Sequence, residues 1–282
     1  MRFSIVMPSY NQARFVEAAI QSVLSQECDD LEVLFIDGGS TDGTMEIVEK
    51  YRDRLAVCVS EPDQGQSDAL HKGFCRATGD VLTWLNTDDL LLPGALSDVT
   101  RAARADPECE WFMGNVIWTD AEGRVLRCRR GEDYSPLWSR LGLLTAAGPS
   151  AFFSPKIYEH VGGLNHDLHY QMDTELWWRF VLSGARFHRL KDYTWALRLH
   201  AGAKVSGHMF IDNDDPKAKA VAAAQTKEAA HINSLITPHK FGIGPIAQRA
   251  TILGKKALSH SYLRSVIESR RWAGLRIEEI FG

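Results

Sequence analysis

The stretch Trp84-Leu85-Asn86-Thr87-Asp88-Asp89 brings two adjacent carboxylates to the end of an apolar run, Val81 to Leu85. Such a pair suits a hard divalent cation, which takes oxygen ligands and keeps positions open for a substrate's phosphates. In an open α/β sheet, ligands bind in the crevice beyond the carboxyl ends of the strands, so the pair faces a binding site if Val81 to Leu85 is such a strand. Taken alone, it equally suits a solvated turn before a helix opened by Pro93. Two more polar stretches have the same placement. Asp37 ends the apolar Leu34-Phe35-Ile36 and enters Gly38-Gly39-Ser40-Thr41-Asp42-Gly43, where backbone can approach a flat ligand and a carboxylate can accept hydrogen bonds from a base or ribose. Glu61 to Gly73 is a polar loop running into a helix, whose N-terminus attracts anions.

Short apolar runs alternate with helical patterns along the first third of the chain. Strands are expected at about 3–7, 32–36, 55–60 and 81–85, with helices at about 13–26, 43–52 and 66–77. This alternation implies parallel strands with right-handed crossovers, an α/β chain. After Pro93 a helix to about Ala105 is expected, then a strand from Glu110 to Trp118 and a hairpin over Thr119 to Arg130 with Glu122-Gly123 as its turn. Beyond about residue 145 the alternation breaks down. Strand-like Ala151 to Phe153 and Tyr193 to Leu197 are followed by an Ala-rich helix at 217–235 and basic helical segments. The chain is expected to divide into residues 1–208 and a helical, basic C-terminal extension at 209–282.

The 282 residues suffice for a sizeable core, and 45% apolar with 24% charged residues is ordinary for a globular protein. A net charge of -4 gives no reason to expect nucleic acid. Between Thr237 and Ile277, however, eight cations face only Glu268, which makes that stretch +7 and leaves −11 elsewhere. The five cysteines are scattered, with no Cys-x-x-Cys zinc pair, and read as reduced thiols of a cytoplasmic protein. No run approaches the ~18 apolar residues of a membrane span.

The motifs Ile5-Val6-Met7-Pro8-Ser9-Tyr10-Asn11 and Leu34 to Thr44 resemble the opening of glycosyltransferase family 2, whose members share the GT-A fold. The resemblance covers roughly residues 3 to 205, with the motifs in the family's order. It implies a Rossmann-like, mostly parallel sheet flanked by helices, with a nucleotide-sugar half at about 1–118 and an acceptor half at about 119–208. By the match, Asp37 contacts the nucleotide base, typically uracil, and Pro8, Ser9 and Tyr10 line its pocket, Tyr10 stacking on the base. Pro62-Asp63-Gln64-Gly65-Gln66-Ser67-Asp68-Ala69 resembles a sequence that places Asp63 near base and ribose, with Gln66 and Lys72 as further donor contacts; His71 stands where the family usually has Asn.

Asp88 and Asp89 take the place of the family's Asp-x-Asp metal signature, with Asn86 in the first acidic position. The match makes Asp89 the direct ligand of Mn²⁺ or Mg²⁺ and gives Asp88 to the donor sugar or a shared metal role. Asp173, at the start of a helix, resembles the family's catalytic base, which deprotonates the attacking hydroxyl. Arg198-Leu199-His200 resembles the late Arg-x-His element, with Arg198 on phosphate and His200 on the metal; Lys204 and Ser206 suit a loop closing on the phosphates. Ser150, Glu175 and Trp177 are candidates for the acceptor side, where an aromatic face suits a sugar ring.

The expectation is an inverting transfer of a sugar from a nucleoside-diphosphate sugar, UDP-linked by resemblance, to an acceptor hydroxyl. dTDP and GDP stay open as carriers. The resemblance places this in bacterial surface-polysaccharide or glycolipid assembly. The basic extension suits the inner face of a membrane and a lipid-linked saccharide acceptor, and equally a packed appendage or dimer contact. A nucleotidyltransferase would carry a Gly-rich, cationic loop after the first strand, which Pro8-Ser9-Tyr10-Asn11 lacks. A non-catalytic binding module would lack the base.

Overall fold

Strand β1 (Arg2–Ser9) buries Phe3, Ile5 and Met7 in one apolar cluster and Val6 in another. A strand apolar on both faces belongs inside a parallel sheet covered by helices on either side. The computed structural model describes residues 1–133, 136–144, 151–204, 215–239 and 259–281. In chain order, β1 is followed by α1 (Val16–Leu24), β2 (Asp30–Asp37), α2 (Thr44–Val48), β3 (Val57–Ser60), α3 (Gln66–Phe74), β4 (Val81–Trp84), β5 (Leu90–Leu91) and α4 (Ala95–Ala105). Then come β6 (Trp111–Thr119), β7 (Val125–Arg129), α5 (Pro136–Arg140), β8 (Ala151–Phe153), α6 (Pro155–His160), α7 (Met172–Leu182), β9 (Phe187–Arg198), α8 (Pro216–Ile236), α9 (His260–Trp272) and α10 (Ile277–Phe281).

The strands form one sheet in the order β3-β2-β1-β4-β8-β6-β9-β5, with β7 paired to β6. The first four are parallel, as the alternation implies. Register sets Ser9 beside Asp37 and Asp37 beside Ser60, so three polar side chains share one carboxyl edge. Beyond β4 the direction changes: β8 enters antiparallel to both β4 and β6, and β9 runs parallel to β6. The hairpin turns at Gly123, whose φ of 80° suits glycine.

Several features escaped the periodicity. The expected helix at 43–52 splits into α2 and a 3-10 turn, Glu49–Arg54. Strand β9 begins at Phe187, and its pairing with β6 shifts register near Asn115. There the Asn115 amide donates to the carbonyls of Lys191 and Asp192 at 2.7 and 3.0 Å, replacing ladder bonds that the bulge removes.

Trp177 lies between Trp84 and Trp111, with ring centroids 5.5 and 5.9 Å away and planes within 16°. The elements beyond residue 208 share cores with the body. Ile232 and Ile236 of α8 join the cluster around Trp177, and Ile277 joins Ile117, Val125 and Tyr193.

Candidate active site

The loop after β4 is tied to β1 by the Thr87 hydroxyl, which donates to the Pro8 carbonyl at 3.2 Å. Asp89 is 2% exposed. Its Oδ1 accepts the Arg198 backbone N–H at 2.9 Å, and its Oδ2 accepts the Trp195 indole N–H at 3.1 Å. Burial, then the neighbouring Asp88 charge, push the Asp89 carboxyl up to about 8. Two carboxylates this close, one of them dry, repel, and the nearby Arg198 charge offsets that only in part.

Asp88 is the more open of the two, and its Oδ2 lies 3.1 Å from His200 Nε2. Arg198 Nη1 donates to the Asp88 carbonyl at 2.9 Å, while its buried Nε has no partner among the described residues. Phe15 backs both side chains, with the Arg198 guanidinium 4.7 Å and the His200 ring 4.6 Å from its centroid. Thus β4 and β9, which share no direct pairing, bring carboxylate, imidazole and guanidinium together at one end of the sheet. Asp88 and His200 offer oxygen and nitrogen donors that accept Mn²⁺ as readily as Mg²⁺ accepts the oxygen. Among the described residues no three His, Cys, Asp or Glu side chains are grouped so as to hold a metal ion by themselves.

From this loop a chain of amides leads outward. Asn86 Oδ1 accepts from Gln66 Nε2 at 2.6 Å, and Gln66 Oε1 accepts from Lys204 Nζ at 3.0 Å. Burial drags the Lys204 ammonium down to about 8, against the raising pull of Glu228 and Asp173. Asp173 is the second residue of α7, and its Oδ1 accepts from the Thr174 backbone N–H at 2.6 Å and the Thr174 hydroxyl at 3.2 Å. No donor among the described residues bonds Oδ2. Burial raises the Asp173 carboxyl, making it a better proton acceptor than an ordinary aspartate.

At the neighbouring edge, Asp37 is fully buried. Its Oδ2 accepts from Gly39 N, Ser40 N and Ser60 Oγ at 3.0, 2.8 and 2.7 Å, and its Oδ1 from Ser40 Oγ at 2.5 Å. These bonds shape the glycine loop and leave the carboxylate little capacity for a base. Asp63 sits over that loop, where a Cβ at Gly38 would come within 2.7 Å of its Oδ2. Tyr10 is 62% exposed at the end of β1, and the buried Ser9 hydroxyl is unpartnered among the described residues.

Several expected contacts are elsewhere. Trp177 is a core residue, stacked on both faces by tryptophans, and offers no face to an acceptor sugar. Glu175 is buried and bound bidentately by Arg179 at 2.9 and 2.7 Å, which leaves it a structural ion pair. The Lys72 ammonium is held by Glu61 at 3.0 Å and Asp68 at 3.3 Å, so a phosphate would have to displace both. Ser150 and Ser206 lie outside the described residues.

Two residues at the site had not been singled out. Trp195 braces Asp89 from a strand that reads as ordinary apolar core. Glu228 of α8 accepts the backbone N–H groups of His169, Tyr170 and Gln171 at 2.7, 2.8 and 2.7 Å, immediately before Asp173. An isolated glutamate in an Ala-rich helix carries no sequence signal of such a partner.

Among curated proteins, the chain is 38% identical over 159 residues to a PGL/p-HBAD biosynthesis glycosyltransferase of Mycobacterium tuberculosis, covering 52% of this chain and 62% of the relative. It is 33% identical over 104 residues to an uncharacterized glycosyltransferase of Nostoc sp., covering 36% of this chain and 32% of that one. The chain thus spans less than two thirds of the length of these relatives. Among solved structures, S. aureus TarS 1-349 in complex with UDP-GlcNAc matches with a TM-score of 0.58 at 16% identity, covering 99% of this chain and 84% of that one. The mannosyltransferase PcManGT from Pyrobaculum calidifontis, in complex with GDP-Man and Mn²⁺, matches at 0.56 and 19%, covering 95% and 84%. At such identities the likeness speaks for the fold, which is the expected GT-A arrangement with a helical C-terminal region. The family profile itself matches residues 4–161, more than half of the chain and all three polar loops after β2, β3 and β4, and the chain belongs to glycosyl transferase family 2.

Proposed function

We propose that this protein is an inverting, metal-dependent glycosyltransferase that moves a sugar from a nucleoside-diphosphate sugar, UDP-linked, onto an acceptor hydroxyl. The observation that carries the reading is the meeting of Asp88, Asp89, Arg198 and His200 at one sheet end, with Asp173 linked to them through Lys204, Gln66 and Asn86. Asp88 and His200 would hold a divalent cation beside the buried Asp89 carboxyl, which a bound cation would favour in its ionised form. Bound there, the cation supplies positive charge to the departing diphosphate. Arg198, with its unpartnered Nε, binds a phosphate oxygen. Asp63, Ser9 and Tyr10 hold the nucleoside, and Asp37 shapes the loop beneath it. Asp173 takes the acceptor proton at its unbonded Oδ2, and single displacement at the anomeric carbon turns an α-linked donor into a β-linked product.

A calorimetric titration with UDP, dTDP and GDP, with and without Mn²⁺, tests the donor site. UDP binding that Mn²⁺ strengthens in the parent protein and leaves unchanged in Asp88→Asn is expected. Equal, metal-independent binding of all three would overturn it. Asp173→Asn should keep nucleotide binding and lose turnover by about 10²-fold or more.

We infer further that the acceptor is reached at an anionic membrane surface, on the cytoplasmic side. Helix α9 is inverted: Ser265 and Ser269 face the body, accepting the backbone N–H groups of Arg130 and Cys128 at 2.9 and 2.8 Å, while Leu263 and Ile267 are 58% and 55% exposed. At helical spacing Arg270 flanks this apolar pair on one side and Arg264 and Arg271 on the other, an arrangement that lets cations meet lipid phosphates while the pair inserts. No helix among the described residues is long and apolar enough to cross a membrane. Co-sedimentation with phosphatidylglycerol vesicles, absent with pure phosphatidylcholine and reduced by Ile267→Glu, supports the inference; no sedimentation with either overturns it. The relative's part in PGL/p-HBAD biosynthesis supports glycolipid as the acceptor class.

A further inference from the structure

The turn that carries Asp173 is held by a residue some fifty positions away in the C-terminal helix. The first N–H groups of a helix have no intrahelical partner and are usually met by a side chain at the residue just before it. At α7 that residue is Gln171, and its side chain makes no cap. It reaches instead to α8, where Nε2 donates to the Gln225 carbonyl at 2.8 Å. The N–H groups of His169, Tyr170 and Gln171 all converge on Glu228, whose Oε1 accepts the first at 2.7 Å and whose Oε2 accepts the others at 2.8 and 2.7 Å. Glu228 is buried, so its charge is one that the fold must solvate with its own dipoles.

A side chain at position 171 caps N–H groups two or three residues further on, inside the helix, and does not meet the three that Glu228 accepts. The distant carboxylate does something more, because its charge reaches the Lys204 ammonium, which also senses Asp173. His169, from the same turn, completes the set, its imidazole lowered by burial and then by Lys204. Lys204 after β9 thus senses both Glu228 on α8 and Asp173 on α7, and the exposed His169 senses Lys204 and Glu228. Gln66 of α3 accepts from Lys204 at 3.0 Å.

We propose that Glu228 is a positioning residue of the transfer reaction, fixing through its three backbone hydrogen bonds the turn that aims Asp173. It follows that α8 belongs to the catalytic unit although it lies beyond the matched family region, which ends at residue 161. The proposal rests on Asp173 being the base.

The experiment compares kcat, KM and the pH profile of the full chain with Glu228→Gln, Glu228→Asp and Asp173→Asn, with UDP binding as the control for folding. Glu228→Gln should retain UDP affinity and lose about 10²-fold in kcat, the scale of an ångström's misplacement of a reacting group. Its alkaline limb should move to lower pH, because Lys204 loses a neighbouring anion that helps keep it protonated. Glu228→Asp restores the charge one methylene short, and should bring the limb back while recovering kcat only in part. Wild-type kcat and an unmoved limb in Glu228→Gln overturn the proposal. So does a loss of kcat and UDP affinity together that Glu228→Asp leaves unrepaired, since that marks a cap that only holds the fold. If Asp173→Asn itself turns over normally, the base assignment has failed, whatever the Glu228 variants do.

Discussion

The indole N–H of Trp195 donates to Asp89 Oδ2 at 3.1 Å, bridging residues 106 positions apart. A buried strand of the sheet's second half therefore braces the acidic loop delivered by its first. Trp195→Phe should cost about 2 to 4 kcal/mol, from a buried carboxyl oxygen left without its donor and from lost volume. Trp111→Phe is the control, because the buried Trp111 Nε1 has no partner among the described residues. Urea unfolding should show the larger loss at 195, and only that variant should also weaken Mn²⁺-dependent UDP binding.

Trp177 separates a core role from an acceptor role. It is enclosed by Trp84, Trp111, Phe153 and Phe180, so Trp177→Ala should destabilise by about 3–5 kcal/mol. Chemical denaturation measures this. Over the temperature range where the variant is folded, the acceptor KM should match the parent's; a raised KM with unchanged stability would restore the stacking role.

Helix α3 lies so close to β1 that a Cβ at Gly73 would overlap the Val6 side chain. Gly73→Ala should therefore destabilise by about 1–3 kcal/mol, against the ordinary gain in helix propensity from such a change. A companion Val6→Ala change should recover part of the loss. Thermal melts of the two single variants and the double variant decide whether the sites couple.

Burial takes the Lys204 ammonium from 10.5 in the unfolded chain to about 8. Between those values the unfolded chain holds more protons, so this residue makes stability rise with pH from about 8 to 10.5. Below pH 8 it is charged in both states and its burial penalty is fully present. The stability of the parent minus that of Lys204→Met should therefore climb through that window. A difference flat in pH would show that the ammonium is solvated.

What could be read along the chain was local and periodic. The alternation of apolar runs and helical patterns is written within windows of ten to twenty residues, and it set out β1 to β4, the parallel direction and the polar loops at the strand ends. The same holds for the hairpin at Gly123 and for the Ala-rich α8, found at Pro216–Ile236. Periodicity carries no information about the pairing of distant strands, and the antiparallel entry of β8, the two-residue β5 and the bulged start of β9 are all set by neighbours far away in sequence.

The candidate site divides the same way. Resemblance to the family's motifs singled out Asp88, Asp89, Asp173, Arg198 and His200, and each stands at or beside the end of an element. The tertiary structure alone decided which oxygens are already engaged. It filled Asp37 with loop donors, gave Glu175 to Arg179, enclosed Trp177 between two indoles and brought Glu228 to the Asp173 turn. An amino-acid sequence states which groups can ionise, donate or stack. Burial and the distance to a partner decide which of them remain free to meet a substrate, and both arise only when segments remote along the chain share one core.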